Sequence, residues 1–331
     1  MQAAPPCANA EVKSLSTEHE ALCTPAALEL AAHESEATHM KIGIMPPLFS
    51  PIATPEFLMA VGAAADDLGF SSIWAPEHVV LFDEYASKYP YAEDGKLAVG
   101  PNAGVLDPFN VLAFLAAATK KVRLGTGIAL VPQRNPVYTA KQVTTVDRLS
   151  NGRIDFGVGI GWLREEFAAL GVPWARRGAR TEEYLEVMRR LWLDDVSSYE
   201  GEFYSLPACR QSPKPIQSPY PPIIFGGESD AALGRVARKG DGWFGFNLTP
   251  ESAAERIGAL EKMLDNEGRK RSEVSISVRP APGFFTPAHA DEFRQLGVEQ
   301  LILVIGGRSA ESVIGRMEAI AAKLVTPVAA G

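Results

Sequence analysis

The stretch 147-DRLSNGRIDFGVGIGWLREEF-167 decides how the rest of the chain reads. Asp147-Arg148-Leu149 has the character of a helix end. Ser150-Asn151-Gly152 is a turn, because Gly152 accepts the left-handed backbone that closes a helix. Arg153–Gly159 then reads as a short buried strand. Gly157, Gly159 and Gly161 remove side chains where that strand emerges. Two readings are open at this point: a flat ligand lying close to backbone, or a tight bend in a barrel.

The same alternation runs outward in both directions. Strands are expected at Lys41–Met45, Ser72–Trp74, Val122–Leu130, Ile154–Val158, Pro222–Phe225, Gly242–Gly245, Val274–Arg279 and Gln300–Val304. Most are short apolar runs rather than period-two alternations, as in parallel strands covered on both faces. Helices are expected between them, at Thr54–Leu68, Pro108–Ala118, Pro136–Leu149, Thr181–Leu193, Ser229–Arg238, Pro250–Glu267, Ala288–Leu296 and Ser309–Lys323. Thr54-Pro55 is an N-cap followed by proline at the first helical position, and Gly69 stops that helix. Eight strand–helix units predict an α/β fold of the closed (β/α)8, or TIM, barrel type. Two long connections are insertions in it. Val79–Asp107 leaves the C-terminal end of the second strand, where barrel sites lie, and reads as a lid or pocket wall. Asp194–Pro221, with its prolines, reads as a stiff, extended connection on the opposite face.

Composition sets the class. The chain has 331 residues, 46% hydrophobic and 22% charged, with a net charge of −8. This balance favours a soluble globule and argues against a nucleic-acid surface. No apolar run reaches the roughly 18 residues of a membrane helix. Cys7, Cys23 and Cys209 form no disulfide or metal pattern, which fits a reducing cytoplasm. Residues 1–39 differ from the rest: they hold two of the cysteines and three of the five histidines. This N-terminal extension is expected to be poorly ordered, with a short helix near Pro25–Ser35. It lacks the basic and apolar regions of a secretory signal. The domain, 40–331, begins at Met40, which is expected to be the natural start.

Elimination narrows the chemistry. There is no G-x-S-x-G elbow, no G-x-x-x-x-G-K-[ST] loop, and no histidine pair at metal-ligand spacing within the barrel. An unrelated barrel lyase or hydrolase is therefore disfavoured, and no metal site is expected. In IIFGGESDAALGRVARKGDGW, Ile223–Trp243, a buried strand ends in Gly226-Gly227 and Ser229 caps a helix. Free N–H groups there would bind an anion without any lysine, though Gly-Gly is also an ordinary tight turn. Glu228 is an awkward neighbour for phosphate, so its side chain is expected to point away or meet another group. In Trp74–His78, WAPEH, a histidine sits just past a strand end beside Glu77. His78 could exchange a proton near neutral pH, or serve only as a structural histidine. In Leu124–Pro136, LGTGIALVPQRNP, Gly125 and Gly127 interrupt an apolar strand and suggest a bulge. Arg176, Arg177 and Arg180 could meet an anionic cofactor tail or form a solvated, salt-bridged face.

Taken together, these segments resemble the luciferase-like monooxygenase superfamily, most closely its coenzyme F420-dependent oxidoreductase branch. The matching pieces are KIGI, LGFSSIWAPEH, RLGTGIALVPQRNPVYTAKQVTTVDRLSNGRIDFGVGIGWLREEF, RRGARTEEYLEVMRRLW, YEGEFYSLP, PKPIQSPYPPIIFGG and ARKGDGW, spread over about residues 40–325. The resemblance implies a TIM barrel that holds a deazaflavin or flavin at its C-terminal face. It implies a non-proline cis peptide at Gly127–Ile128 behind the ring system, and a phosphate loop at Gly226, Gly227, Glu228 and Ser229. It makes Gly159 and Gly161 one wall of the site. His78 is then the proton donor or acceptor, tuned or oriented by Glu77, in hydride transfer to or from a small organic substrate. A reduced-FMN-dependent monooxygenase and a non-catalytic deazaflavin-binding protein are the alternatives. A cytoplasmic homodimer is the family-based default.

Overall fold

The structure, a computed structural model, describes residues 40–100 and 102–325. The helix expected near Pro25–Ser35, the extension 1–39 and the start at Met40 are questions about residues outside that range. Eight parallel strands hydrogen-bond in sequence order. They are β1 (Lys41–Met45), β2 (Ser72–Ala75), β3 (Arg123–Thr126), β4 (Ile154–Gly159), β5 (Ile223–Gly226), β6 (Gly242–Leu248), β7 (Ser275–Pro280) and β8 (Gln300–Val304). β8 pairs with β1 from Lys41 opposite Gln300 to Met45 opposite Val304, and this closes the barrel. A helix follows each strand: α1 (Pro55–Asp67), α2 (Pro108–Ala118), α3 (Pro136–Leu149), α4 (Arg177–Leu193), α5 (Asp230–Lys239), α6 (Pro250–Asn266), α7 (Pro287–Gln295) and α8 (Ala310–Ile320). The expected (β/α)8 fold is therefore the one observed. Covering helices explain the continuous apolar strands: every residue of β2 and β4 is buried. Among the described residues no helix is long and apolar enough to cross a membrane.

The barrel interior explains several glycines. Trp74 of β2 is fully buried and meets Phe244 of β6 with ring centroids 5.1 Å apart. A Cβ on Gly125 would collide with the Trp74 indole, and one on Gly157 with the Thr126 carbonyl and the edge of the same ring. These two glycines make room for a tryptophan inside the barrel, so Gly157 serves packing rather than an open ligand face. Below the indole lies a polar layer. Trp74 Nε1 donates to Ser72 Oγ at 2.7 Å, and Gln300 donates to both Ser71 and Ser72. Buried polar groups of this kind are stable because each finds a partner.

Four local expectations need correction. The third strand is not continuous over Val122–Leu130. It stops at Thr126 and resumes as Ala129–Leu130, which pairs with Val158 and Gly159 of β4. The Gly127–Ile128 peptide between the two pieces is cis. β6 runs on to Leu248. A short helix, Arg164–Ala169, precedes α4, and α4 begins at Arg177 instead of Thr181. The connection Asp194–Pro221 contains an antiparallel hairpin, Ser197–Glu200 with Ser205–Cys209. Its proline-rich end is tied down by buried Asp147, which accepts from Ile216 N, Gln217 N and Gln217 Nε2. The turn that closes α3 forms as read, with Asn151 and Gly152 at φ 57° and 78°.

Candidate active site

The C-terminal ends of the strands bring the expected residues to one rim. Ile128 links two of them. Its side chain lies in the space that a Cβ on Gly159 or on Gly226 would take. The absent side chains of β4 and β5 thus seat an isoleucine that projects from the break in the third strand. Gly161, at φ 76°, gives its open side to Phe167. Contact between a flat ligand and bare glycine backbone is accordingly replaced by an aliphatic shelf, with Ile128 as its surface.

His78 follows β2. Its Nδ1 lies 3.4 Å from Glu166 Oε2, and its ring meets Trp162 edge-on at a centroid distance of 5.9 Å. Glu166 is completely buried at the start of the short helix. It accepts from Val79 N at 2.7 Å, Val80 N at 3.3 Å and Gln133 Nε2 at 3.2 Å. Burial pushes the Glu166 carboxyl up, but His78, Gln133 and the Val79 N–H together hold it below the usual carboxylate value. Glu77, expected to orient His78, is engaged elsewhere. It accepts from Leu130 N at 2.5 Å and from both the Nε and an Nη of Arg134, and so fixes the resumed third strand. The carboxylate beside His78 is therefore Glu166, which lies 88 residues away in the chain.

Glu165, its neighbour, holds the same connection at a second point. It accepts from Ala86 N at 2.7 Å and from Ser87 Oγ at 2.7 Å. Burial acts to raise its pKa, but the Ser87 hydroxyl and the Ala86 and Ser87 N–H groups bring it down to about 2. Between these anchors and Asp107 the loop lays an aromatic row over the mouth. Tyr89 meets Trp162 at 5.1 Å, Tyr91 meets Tyr89 at 5.5 Å, and Tyr91 meets Phe246 of β6 at 4.6 Å. The lid reading of Val79–Asp107 matches this placement.

Gly226, Gly227, Glu228 and Ser229 lie where β5 turns into α5. Ser229 is the N-cap and accepts from Ala232 N at 3.2 Å. The Glu228 side chain turns to Phe246 N, 2.7 Å away, and faces the Tyr91 hydroxyl. Burial pushes its carboxyl above the usual value, against those two donors. The helix start is thereby left to backbone N–H groups, the arrangement that favours an anion. One cation further along the same helix was not foreseen. Arg235, only 7% exposed, makes no side-chain hydrogen bond among the described residues. Its guanidinium reaches Gly178 at the start of α4 and lies within electrostatic reach of Glu182 first, then of Arg238 and Arg177.

Of the basic cluster, only Arg177 faces this region. It stacks on Trp174 at 3.6 Å and donates to Gly161 O at 3.3 Å. Arg176 pairs with exposed Glu202, and Arg180 is buried against the carbonyls of Pro132 and Pro173. A cavity of about 580 Å³ opens between Lys88, Trp162, Arg164, Glu165, Trp174 and Arg177. Trp243 is core, as read, with its indole N–H on Gly227 O at 2.9 Å.

Comparison with known proteins gives the family and the fold. Residues 30–323 match the family model described as luciferase-like monooxygenase. An uncharacterised protein of Mycobacterium tuberculosis is 31% identical over 269 residues, 80% of this chain and 93% of its own. Two solved structures share the fold. The monooxygenase RslO1 from Streptomyces bottropensis has a TM-score of 0.69 at 22% identity, over 86% of this chain and 99% of its own. The coenzyme F420-dependent tetrahydromethanopterin reductase from Methanopyrus kandleri has a TM-score of 0.68 at 15% identity, over 87% and 99%.

Proposed function

Because the chain belongs to the luciferase-like monooxygenase family, we propose that it is an F420-dependent oxidoreductase, moving a hydride between the deazaflavin and a small organic substrate. The observation that carries this choice is the pair Arg177 and Arg235, brought together where α5 meets the start of α4. FMN ends in one phosphate, which a helix start alone can bind. F420 continues beyond its phosphate into a chain of carboxylates. Arg235 and Arg177, with Arg164 and Lys88 along the adjoining cavity, suit that longer anionic tail.

The residues present fit the cofactor. Ile128 and Trp162 offer apolar surface for a ring system, and Gly226, Gly227 and Ser229 offer N–H groups for a phosphate. When bound, the deazaflavin supplies the hydride chemistry. The chain's own contribution is placement, exclusion of water and one proton. Tyr89 and Tyr91 cover the mouth, which removes water from around the reacting groups. With Nδ1 of His78 turned to Glu166, Nε2 is the atom left to give or take a proton. Glu166 holds the ring in that orientation, and Glu77 acts indirectly by holding Leu130 and Arg134 behind Ile128. A cytoplasmic homodimer remains the expected state, which sedimentation equilibrium checks.

Titration of the full chain with F420 and with FMN, each oxidised and reduced, tests the assignment. Tighter binding of F420 is the expected result. Tight binding of reduced FMN with oxygen uptake, and no affinity for F420, would make the protein a flavin monooxygenase. Binding of F420 with full turnover retained in His78→Ala would remove His78 from the mechanism.

A further inference from the structure

The mouth has a second half. The strands hydrogen-bond in sequence order, so β7 and β8 lie across the barrel from β3 and β4. Met45, Ile128 and Phe246 pack on one interior cluster, Trp74, Ile224, Phe244 and Ile302, and so share the floor between the two halves. Val304, two residues beyond Ile302 on the same strand face, is in register with Met45 and 53% exposed. A cavity of about 770 Å³ opens there, lined also by Arg279, Phe285 and Ile305, within the range of about 300–1,000 Å³ usual for small-molecule sites.

Arg279 is the half-buried charge of this side, whereas Arg316 and Lys323 at the cavity edge are exposed. It is in register with Phe246, and its guanidinium lies over that ring at 4.9 Å. Its position is built by a bulge. Between Phe246 and Leu248 the pairing of β6 with β7 slips, and the extra residue, Asn247, takes φ 63°. Bulges beside active sites re-aim side chains. Here Asn247 Oδ1 accepts from Arg279 Nη1 at 2.6 Å, and among the described residues Nε and Nη2 stay without a partner. No aspartate or glutamate among the described residues lines the cavity. Burial pushes the guanidinium below its usual value, and the Tyr89 phenol of the lid acts against that. The row Trp162, Tyr89, Tyr91 and Phe246 joins His78 at one end to Arg279 at the other. A guanidinium held at one nitrogen, with its other donors free, matches the two oxygens of a carboxylate. The aromatic surfaces beside it suit a flat apolar body.

We propose that Arg279 sets the substrate class: an aryl carboxylate, with its carboxylate on the free donors of Arg279 and its ring against Phe246, Phe285 and Val304. This rests on the reading of the mouth as the reaction site, but not on which of the two cofactors fills it.

Calorimetric titration of the full chain with cinnamate tests it, with cinnamyl alcohol as the neutral control, first without cofactor and then with F420 or FMN added. Cinnamate is expected to bind at one site, at least about tenfold tighter than the alcohol, in keeping with a charge-assisted hydrogen-bond pair. Arg279→Gln should erase that preference and leave the affinity for the alcohol unchanged, while Arg279→Lys, which keeps the charge but not the fork, should retain part of it. In the unmodified chain, cinnamate and not the alcohol should protect Arg279 from phenylglyoxal, read by mass spectrometry. Equal affinity for acid and alcohol, absence of cinnamate binding, a preference that survives Arg279→Gln, or no protection of Arg279 would each overturn the proposal. A protein that takes FMN in place of F420 would overturn the cofactor assignment and leave all of these expected results in place.

Discussion

Glu166 and Glu228 both carry a carboxyl into the barrel mouth, yet burial prevails at only one of them. On the β2–β4 side, Glu166 accepts from two backbone N–H groups and the Gln133 amide, and the His78 ring stands 3.4 Å away. Desolvation there is outweighed, and the carboxyl is held below its ordinary value. On the β5–β6 side, Glu228 has the Phe246 N–H and a tyrosine hydroxyl, and desolvation holds it above that value. The number and kind of donors decide whether a buried carboxyl stays charged. One side of the mouth therefore keeps an anion that orients a histidine and pins the lid. The other makes its carboxyl harder to ionise beside the helix start, which weakens a charge that would repel phosphate.

The largest effect should follow from removing the charged side. Glu166→Ala leaves three donors facing a cavity and should cost about 3 kcal/mol of stability, read from urea unfolding. Glu228→Ala should cost clearly less. Equal losses would break the comparison. Next, His78→Ala should lower turnover of an identified substrate about 100-fold, the lower end of what a positioned acid–base group contributes. Glu166→Gln should lower it less while shifting the pH–rate profile. An unchanged profile would mean that Glu166 only supports the lid.

A third test uses sign. A folded-state value raised above the unfolded one, as for Glu228, gives a contribution present at low pH and lost as pH rises through the folded value. Glu228→Gln should therefore raise Tm by about 2 °C at pH 8 and make no difference near pH 4. A lowered value, as for Glu165 and Glu166, gives a contribution present above the unfolded value and lost as pH falls through the folded one, about 2 for Glu165. The smallest effect is then on the lid. Glu165→Gln should speed hydrogen exchange at Ala86 and Ser87 at pH 5 without a measurable change in global unfolding.

The barrel was legible because its signals are local. Short apolar runs, Thr54-Pro55 and the turn Ser150–Gly152 each carry their instruction within a few residues. Placement at the rim was legible only where the residue and the strand end coincide, as at His78, Gly226 and Ser229. Glu77 was misassigned because it is next to His78 in the chain, while successive residues past a strand end point in different directions. Glu166 and Arg235 were missed because the groups around them come from other parts of the chain, Val79, Val80 and Gln133 for Glu166 and the start of α4 for Arg235. The one available signal, Glu165-Glu166 directly after the glycine loop, reads as surface charge until the Val79–Asp107 lid is folded over it. The glycines were ambiguous for the same reason. Gly125 and Gly157 answer to Trp74, and Gly159 and Gly226 to Ile128, contacts between different strands that no spacing in the sequence encodes.

The central claim is that the mouth binds a ring at one end and a long anionic tail at the other. It is tested most directly by comparing F420 with the deazaflavin lacking both phosphate and tail, using fluorescence titration of the full chain and of Arg235→Gln. F420 is predicted to bind at least about 100-fold tighter, with most of that advantage lost in the variant. Equal affinity for the two ligands, or an advantage untouched by Arg235→Gln, would contradict the account.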